Sequence, residues 1–398
     1  MPSERLWGRL GMMEVPFLSL ASDWEAVRDD GQARIARVLD SQVFVLGPET
    51  VELESALSEL AGTGEAVACS SGTDALFLAL LGLGVGPGDA VLLPALSFFA
   101  TAGAVVRAGA RPVFVDIDPA TFNSGAREFA QVIEAEFEEA GEGLRLKFGG
   151  ARLAALMPVH LYGRAAELAE ITELAETVGA VVVEDAAQAI GARSGTRSVG
   201  SVGQAGCFSF YPTKNIGGAG DGGAVVTDSG ALAKKLRALR VHGSSGEARH
   251  ELPGINARMG ELQAAVINAK LGHLAEWTEA RRRIACRYDE LLAGAAPRIT
   301  LPAAAGQGEH VYHQYTVRVA GDRDSVVGTM EGQGIATAVF YPLALHQQPA
   351  LGCGHVPAAG LEEAERAAGE VLCLPIYPAL GDEELVRVSD SLIDAVGA

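Results

Sequence analysis

The chain has 398 residues, 48% hydrophobic and 20% charged, with 49 glycines and 17 prolines; that length suggests a large domain with a smaller second one, and that composition a globular, loop-containing α/β protein rather than a disordered or fibrous one. Its 31 basic and 50 acidic residues leave a formal charge of −19, a field that repels nucleic acid and anionic membrane surfaces, although a few arginines and backbone N–H groups still suffice for a local anion site. The five cysteines, Cys69, Cys207, Cys286, Cys353 and Cys373, form no CxxC pair and no metal spacing with histidine, as expected for reduced thiols in a cytoplasmic protein, and Met1 to Leu20 carries neither an export signal nor a membrane-spanning run.

Met12 and Met13 are alternative starts, because Glu14 to Leu18 reads as the first structured segment. From Asp23 to Leu39, Trp24, Val27, Ile35 and Val38 recur at helical spacing, and Gly47-Pro48-Glu49 opens a second helix through Leu60. Ala66 to Cys69 reads as a strand, Ser70 to Thr73 as a tight turn, and the apolar run that follows as a buried helix beginning near Asp74. Ala90 to Leu93 is a strand, Phe98 to Ala108 a helix and Pro112 to Val115 a strand, an alternation that predicts parallel βαβ units. The charged stretch from Ser124 to Arg152, with Glu134, Glu138, Glu139 and Glu142, reads as a solvated helix and loop inserted at the edge of the sheet. Leu153 to Val159 and Ala180 to Val183 are strands flanking a helix on Leu168, Ile171, Leu174 and Val178; Cys207 to Phe210 and Ala224 to Thr227 complete the set. After Asn256 a long helix from Met259 to about Leu292 leads into strands at Tyr315 to Val319 and Ala336 to Phe340. The expected division is a large domain over 1–270 and a small one over 271–398.

Only five lysines are present. Lys147 sits in the charged stretch, Lys234 and Lys235 on the wet side of a helix, and Lys270 in an ordinary helix, whereas Lys214 follows Phe208-Ser209-Phe210-Tyr211-Pro212-Thr213 and precedes a glycine-rich loop. An amine held beside aromatic surface is partly desolvated, which lowers its pKa and leaves a neutral amine to attack a carbonyl; a lysine capping a loop carbonyl fits the same local sequence. Asp185 ends the apolar strand Val181-Val182-Val183, and an acid there points into the crevice where open α/β sheets bind ligands. From that place a carboxylate keeps the ring nitrogen of pyridoxal phosphate protonated; capping the next helix is its other reading. Gly72 and Thr73 offer backbone N–H groups at the positive end of a helix, and Ser209 adds a hydroxyl, a phosphate anchor that is weak as an isolated signal. Gly218 to Gly223 spells G-x-G-x-x-G but precedes a strand instead of opening a helix, which argues against a nicotinamide enzyme.

Six segments, Cys69-Ser-Ser-Gly-Thr-Asp-Ala-Leu76, Pro158-Val-His-Leu-Tyr-Gly163, Glu184-Asp-Ala-Ala-Gln188, Phe208-Ser-Phe-Tyr-Pro-Thr-Lys-Asn215, Gly220-Asp-Gly-Gly223 and Asn256-Ala-Arg-Met-Gly-Glu-Leu-Gln263, resemble in order and spacing the DegT/DnrJ/StrS family of sugar aminotransferases. The resemblance runs from about Val15 to the C-terminus. It implies an α/β, fold-type-I pyridoxal-phosphate-dependent transferase with a mainly parallel seven-stranded sheet flanked by helices, a smaller C-terminal α/β domain, and a homodimer with shared active sites. It implies Lys214 as the Schiff-base lysine, Asp185 as the pyridinium partner, Gln188 near the ring oxygen and Phe98 stacked on the ring. Gly72, Thr73 and Ser209 match phosphate-binding positions, and Asn256 one supplied by the neighbouring subunit. His160, Tyr162, Arg258, Tyr312, His313 and Tyr341 fall in segments lining the pocket for a nucleotide-linked sugar.

The activity implied is transfer of an amino group, with glutamate as donor, to a 3-keto or 4-keto group of such a sugar. Two departures touch substrate choice: Phe340-Tyr341-Pro342 stands where many relatives carry His-Tyr-Pro, and the 124–152 stretch is long. The rival readings are a pyridoxamine-dependent sugar dehydratase, which in such relatives has histidine in place of the lysine, a keto-cyclitol aminotransferase, and a cofactor-binding regulatory protein without turnover.

Overall fold

A computed structural model describes residues 14–141, 143–246 and 249–397; Met12, Met13 and Glu142 of the charged stretch lie outside the described residues. Two helices lead in, α1 (Leu20–Ser41) and α2 (Pro48–Ala61). Proline is tolerated in the first turn of α2 because the N–H it lacks has no helical acceptor there. The other donors of that turn are met from far along the chain, where the Glu261 carboxylate accepts from Gly47 N (2.8 Å), Glu49 N (2.8 Å) and Thr50 N (3.1 Å).

The chain then alternates as its hydrophobic pattern predicts: β1 (Glu65–Cys69), α3 (Gly72–Gly82), β2 (Asp89–Pro94), α4 (Phe99–Arg107), β3 (Arg111–Val115). The charged stretch follows as α5 (Ala126–Glu136), β4 (Phe137–Glu139) and β5 (Leu144–Leu146), before β6 (Arg152–Leu156), α6 (Leu168–Val178), β7 (Val181–Asp185), β8 (Ala205–Ser209) and β9 (Gly223–Thr227). The spine of the sheet runs β1-β9-β8-β7-β6-β2-β3, with β9 antiparallel to both neighbours and the pairs from β8 to β3 parallel. Parallel strands need crossovers, and the intervening helices supply them. The carboxyl ends of β6, β7 and β8 therefore open on the same side.

The charged stretch differs from the expected solvated insertion at the sheet's edge. β4 and β5 form a hairpin whose second strand bridges the first residue of β6, Arg145 opposite Arg152, near the middle of the sheet. Phe129, Val132, Ile133, Phe137 and Leu146 are buried beneath it. Glu134, Glu138 and Glu139 sit on the outer side of an amphipathic unit.

The helix expected from Met259 to Leu292 is two helices, α8 (Glu261–Leu271) and α9 (Leu274–Leu292), preceded by α7 (Gly230–Leu239) and interrupted at Gly272-His273. Beyond them a three-stranded antiparallel sheet, β10 (Ile299–Thr300), β11 (Tyr315–Val319) and β12 (Val371–Leu374), packs with α10 (Arg323–Gly332), α11 (Glu362–Glu370) and α12 (Asp382–Ala395). A separate apolar cluster including Tyr288, Tyr315, Val317, Leu372 and Leu392 fills this unit, each side chain contributing roughly 1.5–3 kcal/mol by burial. The strand expected at Ala336 to Phe340 is reduced to one bridge, Ala338 with Cys373. The wholly buried run Val371 to Leu374, which the reading of the sequence passed over, is the true strand. Among the described residues no helix is long and apolar enough to cross a membrane.

Candidate active site

Three parallel strand ends converge on Asp185. Its backbone is fixed on both sides, Asp185 N donating to Pro158 O (2.9 Å) and Ala186 N to Cys207 O (2.9 Å). The side chain is buried, and burial raises its pKa against the lowering effect of Thr101 and of Ala187 N. Thr101 Oγ1 donates to Oδ2 at 2.7 Å and Ala187 N to Oδ1 at 3.2 Å.

Past β8 the chain turns through Tyr211-Pro212-Thr213, and Lys214 N closes the turn on Tyr211 O (2.8 Å). The glycine-rich stretch folds back on the same strand end, Gly218 N donating to Phe210 O and Phe210 N to Gly222 O, both at 2.8 Å. A Cβ on Gly217 would lie 2.2 Å from Pro212 O, so only glycine lets the loop close this tightly. The loop then enters β9, a strand, where a dinucleotide fingerprint would open a helix. Lys214 is half-buried, and among the described residues its amine has no hydrogen bond or ion pair. Burial pushes its pKa down to about 8, with the Asp185 carboxylate opposing.

A cradle of donors lies beside this pair. Ser71 caps α3, its Oγ accepting from Asp74 N at 3.1 Å, which leaves Gly72 N–H and Thr73 N–H without helical acceptors. A Cβ on Gly72 would lie 2.7 Å from Ser209 Cβ and 3.0 Å from Ser209 Oγ; the bare glycine backbone and the serine hydroxyl therefore face one small volume. The Asp74 carboxylate is held by Ser70 Oγ (2.5 Å) and Arg107 Nη1 (2.6 Å). Two N–H groups, a hydroxyl and a helix N-terminus are the donor chemistry that a phosphate monoester requires, and with a free amine and a buried carboxylate next to them the residues present fit pyridoxal phosphate.

Of the remaining expected residues, some gather here. Gln188 Oε1 accepts from Tyr162 N (2.6 Å) and its Nε2 donates to Tyr341 Oη (3.1 Å). Tyr341 in turn lies 5.9 Å, centroid to centroid, from the exposed ring of Phe98. His313 is buried, its Nδ1 3.1 Å from Asn215 Oδ1. Because Asn215 offers an oxygen there, Nδ1 carries the proton, and burial together with nearby Lys214 holds the imidazole neutral, well below its usual pKa. Tyr312 stacks on His310 at 3.9 Å, with burial raising its pKa to about 12.

Two of the expected residues lie deeper than the others. His160 is fully enclosed, with Nε2 3.2 Å from Glu184 Oε2 and Nδ1 accepting from Ala166 N at 3.0 Å. Tyr162 is buried too, its hydroxyl donating to Phe340 O and its ring set edge-on to Phe122. The side-chain polar atoms of both are satisfied by protein. Asn256 and Arg258 are exposed and paired with each other, Nε to Oδ1 at 3.0 Å, while Ser70 N donates to Ala257 O (3.0 Å) and holds this segment at the foot of α3.

Several residues at the site went unnoticed in the sequence. Thr101 and Ser97 stand behind Asp185, and Asn215 Nδ2 donates to Val311 O at 3.1 Å, tying the lysine turn to the His313 segment. Lys270, set aside as an ordinary helical lysine, is buried and donates to Gly217 O at 2.8 Å. The signals available were a Ser-x-x-x-Thr spacing across a helix start and an asparagine directly after the lysine; neither identifies a partner without the fold.

Known proteins bear directly on this geometry. A "Pleiotropic regulatory protein" of Geobacillus stearothermophilus is 41% identical over 96% of this chain and 98% of its own length. A UDP-N-acetyl-3-dehydro-alpha-D-glucosamine 3-aminotransferase of Acidithiobacillus ferrooxidans is 41% identical over 94% of this chain and 96% of its own. The crystal structure of S. venezuelae DesV in complex with a ketimine intermediate superposes with a TM-score of 0.88 at 40% identity, covering 96% of this chain and 99% of that one. With the pattern of the DegT/DnrJ/EryC1/StrS aminotransferase family matching residues 25–393, this chain belongs to that family of pyridoxal-phosphate aminotransferases.

Proposed function

We propose that this protein transfers an amino group, with glutamate as donor, to a 3-keto or 4-keto group of a nucleotide-linked sugar, working in the cytoplasm as a homodimer. The carrying observation is the convergence of an amine of lowered pKa, Lys214, which has no partner among the described residues, and a buried carboxylate, Asp185, beside the Gly72–Thr73–Ser209 donors. When bound, pyridoxal phosphate supplies an aldehyde and an electron-accepting ring.

In this reading Gly72 N–H, Thr73 N–H and Ser209 Oγ would hold the phosphate, Asp185 would keep the ring nitrogen protonated, Phe98 would cover the ring, and Gln188 would lie near its oxygen. Lys214 Nζ would be the amine that holds the cofactor and, once freed by an incoming amine, the base that takes a proton from the donor's α carbon and returns it. The same amine would carry a proton in the opposite sense when the keto sugar is the acceptor. A pKa near 8 lets Lys214 both accept and return that proton near neutral pH. Tyr341, Tyr312 and His313 form the substrate side, and Arg258 the outer rim.

The homodimer accounts for two surface features. Val43, Phe44, Val45 and Leu46 are 36–43% exposed, and the Val45–Gly260 bridge sets them beside exposed Leu262, an apolar patch suited to a second copy. Asn256 is exposed at the foot of the cradle, where a residue lent to the partner's phosphate site belongs. The division into domains 1–270 and 271–398 is proposed on the two separate sheets.

A regulatory reading without turnover has one relative's name in its favour, but the intact Lys214, Asp185 and Ser209 support turnover. The presence of Lys214 also disfavours the dehydratase. The test is to charge the protein with pyridoxamine phosphate and follow its absorbance during addition of nucleotide-linked 3-keto and 4-keto sugars. Conversion to the aldehyde form by one of them is expected. Conversion by a keto-cyclitol alone would replace the nucleotide-sugar assignment, and no conversion by any ketone would favour the regulatory reading.

A further inference from the structure

Asp185 is approached from behind by a short chain of hydroxyls that nothing in the sequence suggested. Thr101, in the first turn of α4, is fully enclosed. Its Oγ1 lies 2.7 Å from Asp185 Oδ2 and 2.7 Å from Ser97 Oγ, which is also buried. The protons have a fixed direction when the carboxylate is ionised. An ionised Asp only accepts, so Thr101 spends its single proton on Asp185, and Ser97 must donate to Thr101. The same turn presents Phe98, whose carbonyl accepts from Thr101 N at 3.1 Å. One turn of chain thus carries both the aromatic side chain at the pocket and the hydroxyl behind the carboxylate.

The acceptor count shows what is left for a ligand. A carboxylate has about four acceptor positions, and Asp185 uses one on Oδ2 for Thr101 and one on Oδ1 for Ala187 N. Burial works against the charged form, and donors to the charged form work in its favour. Thr101 is the only side chain that hydrogen-bonds this carboxylate among the described residues.

We propose that Thr101 is the positioning residue of this site, with Ser97 orienting it: the Ser97–Thr101–Asp185 chain keeps the carboxylate ionised and fixes its rotation, so that a free acceptor position meets the ring nitrogen. This rests on the reading of Asp185 as the partner of that nitrogen. Chains of hydroxyls polarise in one direction, and the end donor is strengthened by the one behind it. Loss of Ser97 should therefore weaken the effect in part, and loss of the Thr101 hydroxyl should remove it.

The experiment uses the full chain reconstituted with pyridoxal phosphate, in the variants Thr101→Val, Thr101→Ser, Ser97→Ala and Asp185→Asn. Cofactor dissociation is measured by equilibrium dialysis across pH, together with the long-wavelength absorbance of the bound Schiff base. Thr101→Val is expected to release cofactor about tenfold more readily, and its acid-side loss of binding should move to higher pH, because the carboxylate without its donor takes up a proton sooner. Thr101→Ser should restore both readouts, and Ser97→Ala should show a shift of the same sign, roughly threefold. The proposal is overturned if Thr101→Val binds and titrates as the unaltered protein does, or if Thr101→Ser is as impaired as Thr101→Val, which would make the methyl group and not the hydroxyl responsible. Should Thr101→Val fail to fold, absence of any shift in Ser97→Ala overturns it. Asp185→Asn separates the two layers: a loss of cofactor there with none in Thr101→Val removes the hydroxyl chain alone, whereas normal binding in Asp185→Asn removes the underlying reading as well.

Discussion

Glu184 and Asp185 are consecutive residues of one strand, and the pleat sends them to opposite faces of the sheet. Glu184 is saturated: its carboxylate accepts from Gly200 N (2.6 Å), Val202 N (2.7 Å) and Gly203 N (2.7 Å), with His160 Nε2 at 3.2 Å. Asp185 has two donors and spare acceptor positions on the face it shares with Lys214. Both side chains are buried, so burial does not separate a structural carboxylate from one available to a ligand. The unfilled acceptor capacity does. The lysines divide in the same way, Lys270 spent on Gly217 O and Lys214 left without a partner among the described residues.

The largest effect should come from the unpartnered amine. Lys214→Ala is expected to lower transamination by about a thousandfold or more, since nucleophile and proton carrier disappear together. The apoprotein should melt no lower than the unaltered chain, because the amine makes no bond whose loss would matter and burial disfavours its charge. Borohydride reduction followed by peptide mapping places the adduct on Tyr211 to Asn215 in the unaltered protein; an adduct elsewhere, or activity above a few per cent in the variant, breaks the contrast between the two faces.

Glu184→Gln tests the opposite face. The amide cannot serve three backbone donors and a histidine at once, and one of its two groups is itself a donor aimed at donors. A loss of about 3 kcal/mol in urea unfolding is expected, with little change in cofactor affinity once the protein is folded. A variant of normal stability but weak cofactor binding would reverse the assignment of the two carboxylates.

Asp185→Asn should behave in the complementary way. Cofactor affinity should fall roughly ten- to a hundredfold, as a charge-assisted bond to a ring nitrogen is lost. The apoprotein should gain stability at neutral pH. Burial raises the Asp185 pKa above 3.8 in the fold, so the folded state holds more protons than the unfolded one between the ordinary value and the raised one, and stability falls as pH rises through that window. The neutral amide removes this slope, which thermal melts of the apoprotein across acidic pH will read directly.

How much of this was legible follows from the range of each interaction. The βαβ order and the strand ending at Asp185 are written in local periodicity, and Lys214 emerged because so few lysines compete with it. The hairpin of the charged stretch was hidden because exposed Glu138 and Glu139 lie between the inward-facing Phe137 and Leu146 in sequence and gave the stretch its charged character. His160 and Tyr162 were placed at the pocket because the segment Pro158 to Gly163 resembles one that lines it in the family. Their partners, Glu184, Ala166 and Phe340, lie up to 178 residues away, and no local pattern reports that an acceptor has been taken. The same distance concealed Thr101, which is 84 residues from Asp185.

Lys270 offers the smallest test and the finest one. Its ammonium group is buried against Gly217 O, with Asp23 opposing the lowering of its pKa by burial, and Gly217 is where the lysine loop closes on Pro212. Lys270→Met keeps most of the apolar stem and removes only the donor, leaving a carbonyl without its partner at a cost of about 1 kcal/mol. That cost falls on the loop, because the helix carrying residue 270 retains its own backbone bonds. Hydrogen exchange should therefore quicken over residues 214–222 and stay unchanged in β7, while borohydride still fixes the cofactor on Lys214. Faster exchange throughout the sheet would mean that Lys270 supports the core; unchanged exchange everywhere would mean that the glycine loop is held by its own backbone bonds to Phe210, and that the second lysine is spent on a carbonyl that did not need it.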